Sequence, residues 1–285
     1  MEPLEILLFE GGDPNSGFRT KNAEGDKARG VLIDRGDVLA LRARLVSVTH
    51  GDYTPNGDAA TLLVFEFDFL SMKQSRRFKT ANITLTFEDA SGNLRNRPEV
   101  VAIAPAGKFF INKTIDKRDV KQSVNTSLNG SFAGIGGSVG YVWDMSQTKE
   151  ADHATTLVGT KRLFADWGKD NGVRWNLEED GVKSAGIPTF LRAAVLLRRR
   201  DDVPFRFTIQ VETGVDFDGR VRRMLGLEKP EAVDPVELDN GTNLDDLGIA
   251  SLNPNAEGVD LRNMAGMDIG RNADVMLASL LTLQG

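Results

Sequence analysis

The chain contains no cysteine, which excludes disulfide frameworks, thiolate metal sites and cysteine nucleophiles. Histidine occurs only at His50 and His153. A site built from three imidazoles is therefore excluded. Each histidine sits in a polar or turn-like stretch and reads as a surface residue rather than a general base. No Gly-x-Ser-x-Gly elbow nominates a serine nucleophile. No apolar run approaches the ~18 residues of a membrane helix, and Met1-Glu2-Pro3-Leu4-Glu5 lacks the basic start and apolar core of a secretory signal. Positive charge is in deficit: 35 Lys and Arg stand against 41 Asp and Glu, a net charge of -6. That balance speaks against nucleic acid as the main partner. With no cysteine and no targeting signal, a cytoplasmic location is expected. No motif calls for a metal or cofactor.

What is present is alternation. The 285 residues are 40% hydrophobic and 27% charged, a composition able to bury a core. Leu39, Leu41, Ala43 and Leu45 alternate with polar or small residues. So do Leu63, Phe65, Phe67 and Phe69; Ala81, Ile83, Leu85 and Phe87; Val173, Trp175 and Leu177; and Phe205, Phe207, Ile209 and Val211. A period of two places one side of each strand on a core and the other in water. Val100–Ala104 and Ala193–Leu197 are apolar on both sides and read as central strands covered twice. Turn-forming clusters separate the runs at Asp34–Asp37, Pro55–Asp58, Ala90–Asn93 and Asp201–Pro204. The expected fold is all-β: an antiparallel β-sandwich over residues 1–240, with long loops and a mostly irregular C-terminal tail over 241–285. Within that tail a short amphipathic helix is expected at 273–283, presenting Val275, Met276, Leu280 and Leu281 for docking on the body or on a neighbouring copy.

Residues 123–143 carry no charge and are rich in Gly and Ser. Val124, Leu128 and Phe132 share one face. After a phase flip around Gly134–Gly137, so do Ile135, Val139, Tyr141 and Trp143. Each half has about the length of a tilted membrane-spanning strand, so an inserted hairpin of a pore is one reading and a hairpin of the sandwich the other. The glycines match neither the dinucleotide nor the P-loop spacing.

Other constellations are sparse. Glu66 and Asp68 share the outer face of one strand; paired carboxylates serve glycan cleavage when they face each other across a groove, and otherwise form a solvated acidic face. Loop aspartates at 201–202, 216–218, 234 and 245–246 match no defined calcium loop. Arg198-Arg199-Arg200 is followed at once by Asp201-Asp202, which suggests local ion pairs or anion contacts. Trp167 lies in a polar turn and is the best candidate for an exposed aromatic contact, whereas Trp175 reads as core.

Several phrases carry a likeness: Arg76–Ala81 leading into Ile83–Phe87, then Trp143-Asp144, Val173–Glu179, Ser184–Pro188, and Leu191–Leu197 with Asp201–Phe205. Over roughly residues 60–238 the chain resembles a widespread group of fungal β-rich proteins without an assigned activity. The resemblance implies an intracellular, β-rich protein and transfers no catalytic motif. The expectation is a non-enzymatic interaction or structural protein that binds copies of itself or another protein. The alternatives are a membrane-active protein using 123–143 and a glycan-binding or glycan-cleaving protein using Glu66, Asp68 and Trp167.

Overall fold

The computed structural model describes residues 22, 25–36, 39–73, 76–111, 155–166, 168–181, 186–200, 202–215, 234–272 and 274–276. They form two antiparallel six-stranded sheets. The first sheet runs β1 (Val31–Arg35), β2 (Leu39–Asp52), β3 (Ala59–Ser71) and β9 (Phe190–Arg199). The far edge of β9 is shared by β5 (Glu99–Ala104) and β12 (Asp274–Met276). The second sheet runs β11 (Val236–Leu238), β10 (Phe205–Val215), β4 (Phe78–Asp89), β8 (Gly172–Glu178), β7 (Thr155–Arg162) and β6 (Gly107–Ile111).

The period-two runs meet between the sheets. Leu63, Phe65, Phe67 and Phe69 of β3 are buried against Ile83, Leu85 and Phe87 of β4, Trp175 of β8 and Phe207 of β10. The Phe65 and Phe207 rings meet edge to face at 5.5 Å, the arrangement aromatic quadrupoles favour. A register shift between Leu45 and Ser47 explains why the inward set of β2 changes phase from Leu39, Leu41, Ala43 and Leu45 to Val48. Trp175 is core, as its alternation indicated.

The loop-to-strand turns fall at the Gly- and Asp-rich clusters. Asn56 takes a left-handed φ of 57° in the β2–β3 turn, which Asn tolerates better than a branched residue. Gly159 in β7 is required for a different reason. A Cβ there would overlap the Pro105 carbonyl oxygen and lie 2.9 Å from the Trp175 ring, just where Trp175 Nε1 donates to Pro105 O at 2.9 Å. Gly159→Ala is therefore expected to cost about 1–3 kcal/mol of stability, as overpacked sites do. Urea denaturation checks it, and an unchanged midpoint would show that the corner has room to give.

Three expectations are corrected. Val100–Ala104 forms β5, but β5 pairs only with β9 among the described strands, so it is an edge strand rather than a central one. It is nonetheless covered on both sides, as its apolarity indicated: Val100 and Ile103 join the sandwich core, and Val101, Ala102 and Ala104 pack with Met264 and Ile269. The helix expected at 273–283 is not formed at Val275 and Met276. They belong to β12, in register with Leu191 and Phe190, because the edge of β9 beyond β5 still has backbone groups to pair. Leu280 and Leu281 lie outside the described residues. Glu66, expected on a water-facing side, is buried.

Residues 241–272 are irregular, with 3-10 turns at Met264–Gly266 and Ile269–Asn272, yet they pack tightly on the first sheet. Ala60, Leu62 and Val64 of β3 and Ala194 and Leu196 of β9 point away from the sandwich interior. Met264 and Ile269 bury them, with Leu252 and Met267 alongside. This segment is what covers the second face of β9. Its backbone is tied to β2: Val48 N–H donates to Ala250 O (2.9 Å), Ala250 N–H to Val46 O (3.0 Å) and Asp52 N–H to Leu261 O (2.7 Å). Gly51 permits the crossing, since a Cβ there would collide with Leu261 O and sit 2.8 Å from Met264 Sδ.

Candidate functional site

Four connections converge at one end of the sandwich and enclose an open cleft of about 620 Å³. The β2–β3 turn supplies Asp58, the β4–β5 loop supplies Leu94, Arg95 and Arg97, and the first residue of β5 is Glu99. The β7–β8 loop supplies Lys169, and the end of β9 supplies Arg198 and Arg200. Five cations thus face two acids, on a chain whose net charge is -6.

The walls are held by short-range polar contacts. In the β4–β5 loop the buried Asp89 carboxylate accepts from the backbone N–H groups of Ser91 (3.0 Å) and Asn93 (2.9 Å) and from the Ser91 hydroxyl. Asn93 Oδ1 then caps the 3-10 turn Leu94–Asn96 by accepting from Arg95 N–H at 3.1 Å. In the β7–β8 loop the buried Asn171 side chain accepts from Phe164 N–H (2.9 Å) and donates to Phe87 O (3.2 Å). Val100 N–H donates to Asp170 O at 2.7 Å, tying this loop to β5.

Alternation along β9 divides the arginine run by role. Arg198 points outward. It pairs with Glu99, its cross-strand neighbour on β5, lies 3.6 Å from Asp58 and stacks its guanidinium 5.3 Å from the Tyr53 ring centre. Lys169 shares the same Glu99 at 2.8 Å. Arg200 is exposed, as is Arg95 on the facing loop. Neither guanidinium makes an ion pair or hydrogen bond among the described residues. Leu94 is 52% exposed at the rim. Leu163 and Phe164, also exposed, lie on the loop that provides Lys169.

Arg199 points inward and is 1% exposed. It donates to Val203 O (3.1 Å), Asp202 Oδ1 (2.9 Å) and Asn240 Oδ1 (3.3 Å), and packs 5.4 Å above the Phe205 ring. Burial pushes its pKa down, and the Asp202 carboxylate opposes that shift. His50 joins this cluster. Its Nδ1 lies 2.9 Å from Thr61 Oγ1 and 3.5 Å from Arg199 Nη2, and burial, reinforced by Arg199, lowers its pKa from 6.5 to about 4. His50 is thus an enclosed neutral imidazole, not the surface histidine its turn-like context suggested. The expected pairing of the arginine run with the following aspartates holds for Arg199 and Asp202; Arg198 turns to Glu99 and Asp58 instead.

Glu66 and Asp68 lie on the outer face of the first sheet, where register sets Arg44, Glu66 and Arg192 side by side. Glu66 Oε2 accepts from Arg44 at 2.8 Å and Oε1 from Arg192 Nε at 3.0 Å. Asp68 receives Arg44 at 3.4 Å, and its carboxyl is raised in pKa by burial and by Glu66. The two carboxylates are neighbours in one ion-pair row and do not face each other across a groove. Val124, Leu128, Phe132, Ile135, Val139, Tyr141, Trp143 and Trp167 lie outside the described residues. No group of three or more metal-ligating side chains converges among the described residues, and no helix there is long and apolar enough to cross a membrane.

Sequence reasoning reached Arg198–Arg200 but not Arg95, Arg97 or Lys169. Arg95 and Arg97 come from the β4–β5 loop and Lys169 from the β7–β8 loop, with no periodic spacing, so only the closing of the sandwich brings them together. No protein-family model and no curated protein matches the chain.

Proposed function

We propose that this protein is a non-enzymatic interaction module that docks an acidic segment of a protein partner at the loop end of its β-sandwich. The observation that carries the reading is the cleft itself, in which Arg95 and Arg200, without counter-charges among the described residues, stand beside Arg97, Arg198 and Lys169. Desolvating unpaired guanidiniums is costly, so such groups gain most from an anionic partner. Exposed Leu94 lines the cleft and adds apolar contact area beside the cations, and arginine is enriched among interface hot spots. The chain's overall negative charge repels a long polyanion, whereas a short acidic segment meets only the local positive field.

A fluorescein-labelled peptide of glutamate, aspartate and leucine tests this by anisotropy. It is expected to bind, to weaken as salt rises, and to lose at least about tenfold in affinity in the Arg95→Glu, Arg200→Glu double variant. Absence of binding, or binding indifferent to charge reversal, overturns the reading.

A further inference from the structure

We infer that the anion this cleft takes is a phosphate monoester carried by the partner segment, an inference that rests on the docking reading above and specifies its ligand. The charges in the cleft fall into two groups. Arg198, Lys169, Glu99 and Asp58 form a balanced wall, with Glu99 bridging both cations and Asp58 standing 3.6 Å from Arg198. Arg97, the fifth cation, has a partner of its own; Arg95 and Arg200 remain, neither with an ion pair among the described residues, lining the same opening. A carboxylate brings one negative charge and two acceptor oxygens, so it balances one of them. A phosphate monoester brings about -1.5 to -2 and three acceptor oxygens at neutral pH, charge and acceptors enough for two forked guanidiniums.

The wall also limits what else enters. The Glu99 and Asp58 carboxylates are on the same surface and repel a second anion close by, which favours one doubly charged group over a run of singly charged ones. The cleft is open to solvent, so it admits a side-chain phosphate with its backbone, and exposed Leu94 at the rim offers apolar contact to a flanking residue.

The test uses the full-length chain and three labelled peptides that differ at one position, flanked by leucine and aspartate: phosphoserine, serine or glutamate. Inorganic phosphate serves as a separate competitor. The phosphoserine peptide is expected to bind about 10- to 100-fold more tightly than the other two, the range charge-assisted hydrogen bonds supply. Arg95→Gln and Arg200→Gln, both at exposed positions, should each remove about tenfold of that preference with unchanged melting temperature. Arg206→Gln, on the outer face of the second sheet where Arg206 pairs with Glu88 at 2.8 Å, should leave it intact. Equal affinity for the glutamate and phosphoserine peptides overturns the phosphate inference and leaves the docking reading standing. Inorganic phosphate binding as tightly as the phosphopeptide overturns the assignment to a partner segment. If no peptide binds, both the inference and the docking reading fall.

Discussion

Met264→Asp is expected to lower the unfolding free energy by about 3 kcal/mol or more and to make the chain bind a hydrophobic dye under native conditions. Met264 is fully buried and sits at the point where the C-terminal segment meets the outward side chains of β3 and β9. A carboxylate there would be desolvated without a partner. The cheapest response is for residues 249–269 to lift away, leaving Leu62, Val64 and Leu196 facing water. Each such side chain is worth about 1.5–3 kcal/mol when buried. The covering segment has no regular ladder of its own, only scattered hydrogen bonds to β2 and Tyr53, so its hold depends strongly on this apolar contact. Denaturant titration, dye fluorescence and limited proteolysis between 248 and 272 would read the effect together. A variant with wild-type proteolysis and dye response would show that the segment is held mainly by its backbone bonds. Removing residues 241–285 is not a neutral way to test self-association, because it uncovers the sheet.

The second large effect is on pH dependence. His50 has a folded pKa of about 4 against 6.5 for the ordinary group, so between these values the unfolded chain binds a proton that the folded chain refuses. Stability therefore falls as pH drops from about 6.5 to 4, and is insensitive to His50 above that window. The loss approaches about 3 kcal/mol at pH 4. Asp68 works in the other direction: its raised pKa means that protonation relieves a buried charge, so its contribution improves as pH falls through its folded value. Comparing wild type with His50→Gln isolates the histidine. The difference in unfolding free energy between the two proteins should change by about 3 kcal/mol from pH 7 to pH 4. A flat difference would mean that Arg199 and the enclosing β-strands do not keep the ring neutral.

The two histidine neighbours illustrate why sites resist sequence reading. His50 lies in β2, Arg199 in β9, and Asp202 and Asn240 in connections after β9 and β11. Nothing in the string His50-Gly51-Asp52 announces a buried guanidinium, because the partner arrives from about 150 residues away in the chain. Glu66 is similar. Its polar neighbours in the alternation marked it as facing water, but Arg44 and Arg192 on the flanking strands stack on it and exclude solvent.

Local pattern alone determined the β-sandwich, the inward residues of most strands, the turns between them and the core position of Trp175. A period of two is a property of neighbouring side chains and needs no tertiary information. Tertiary structure decided which strand lies beside which, that β5 is an edge, that Val275 and Met276 extend a sheet rather than a helix, and that Arg198, Arg199 and Arg200 serve three different environments. Each of these depends on groups distant in sequence, whose pairing energy appears only once the chain has closed on itself.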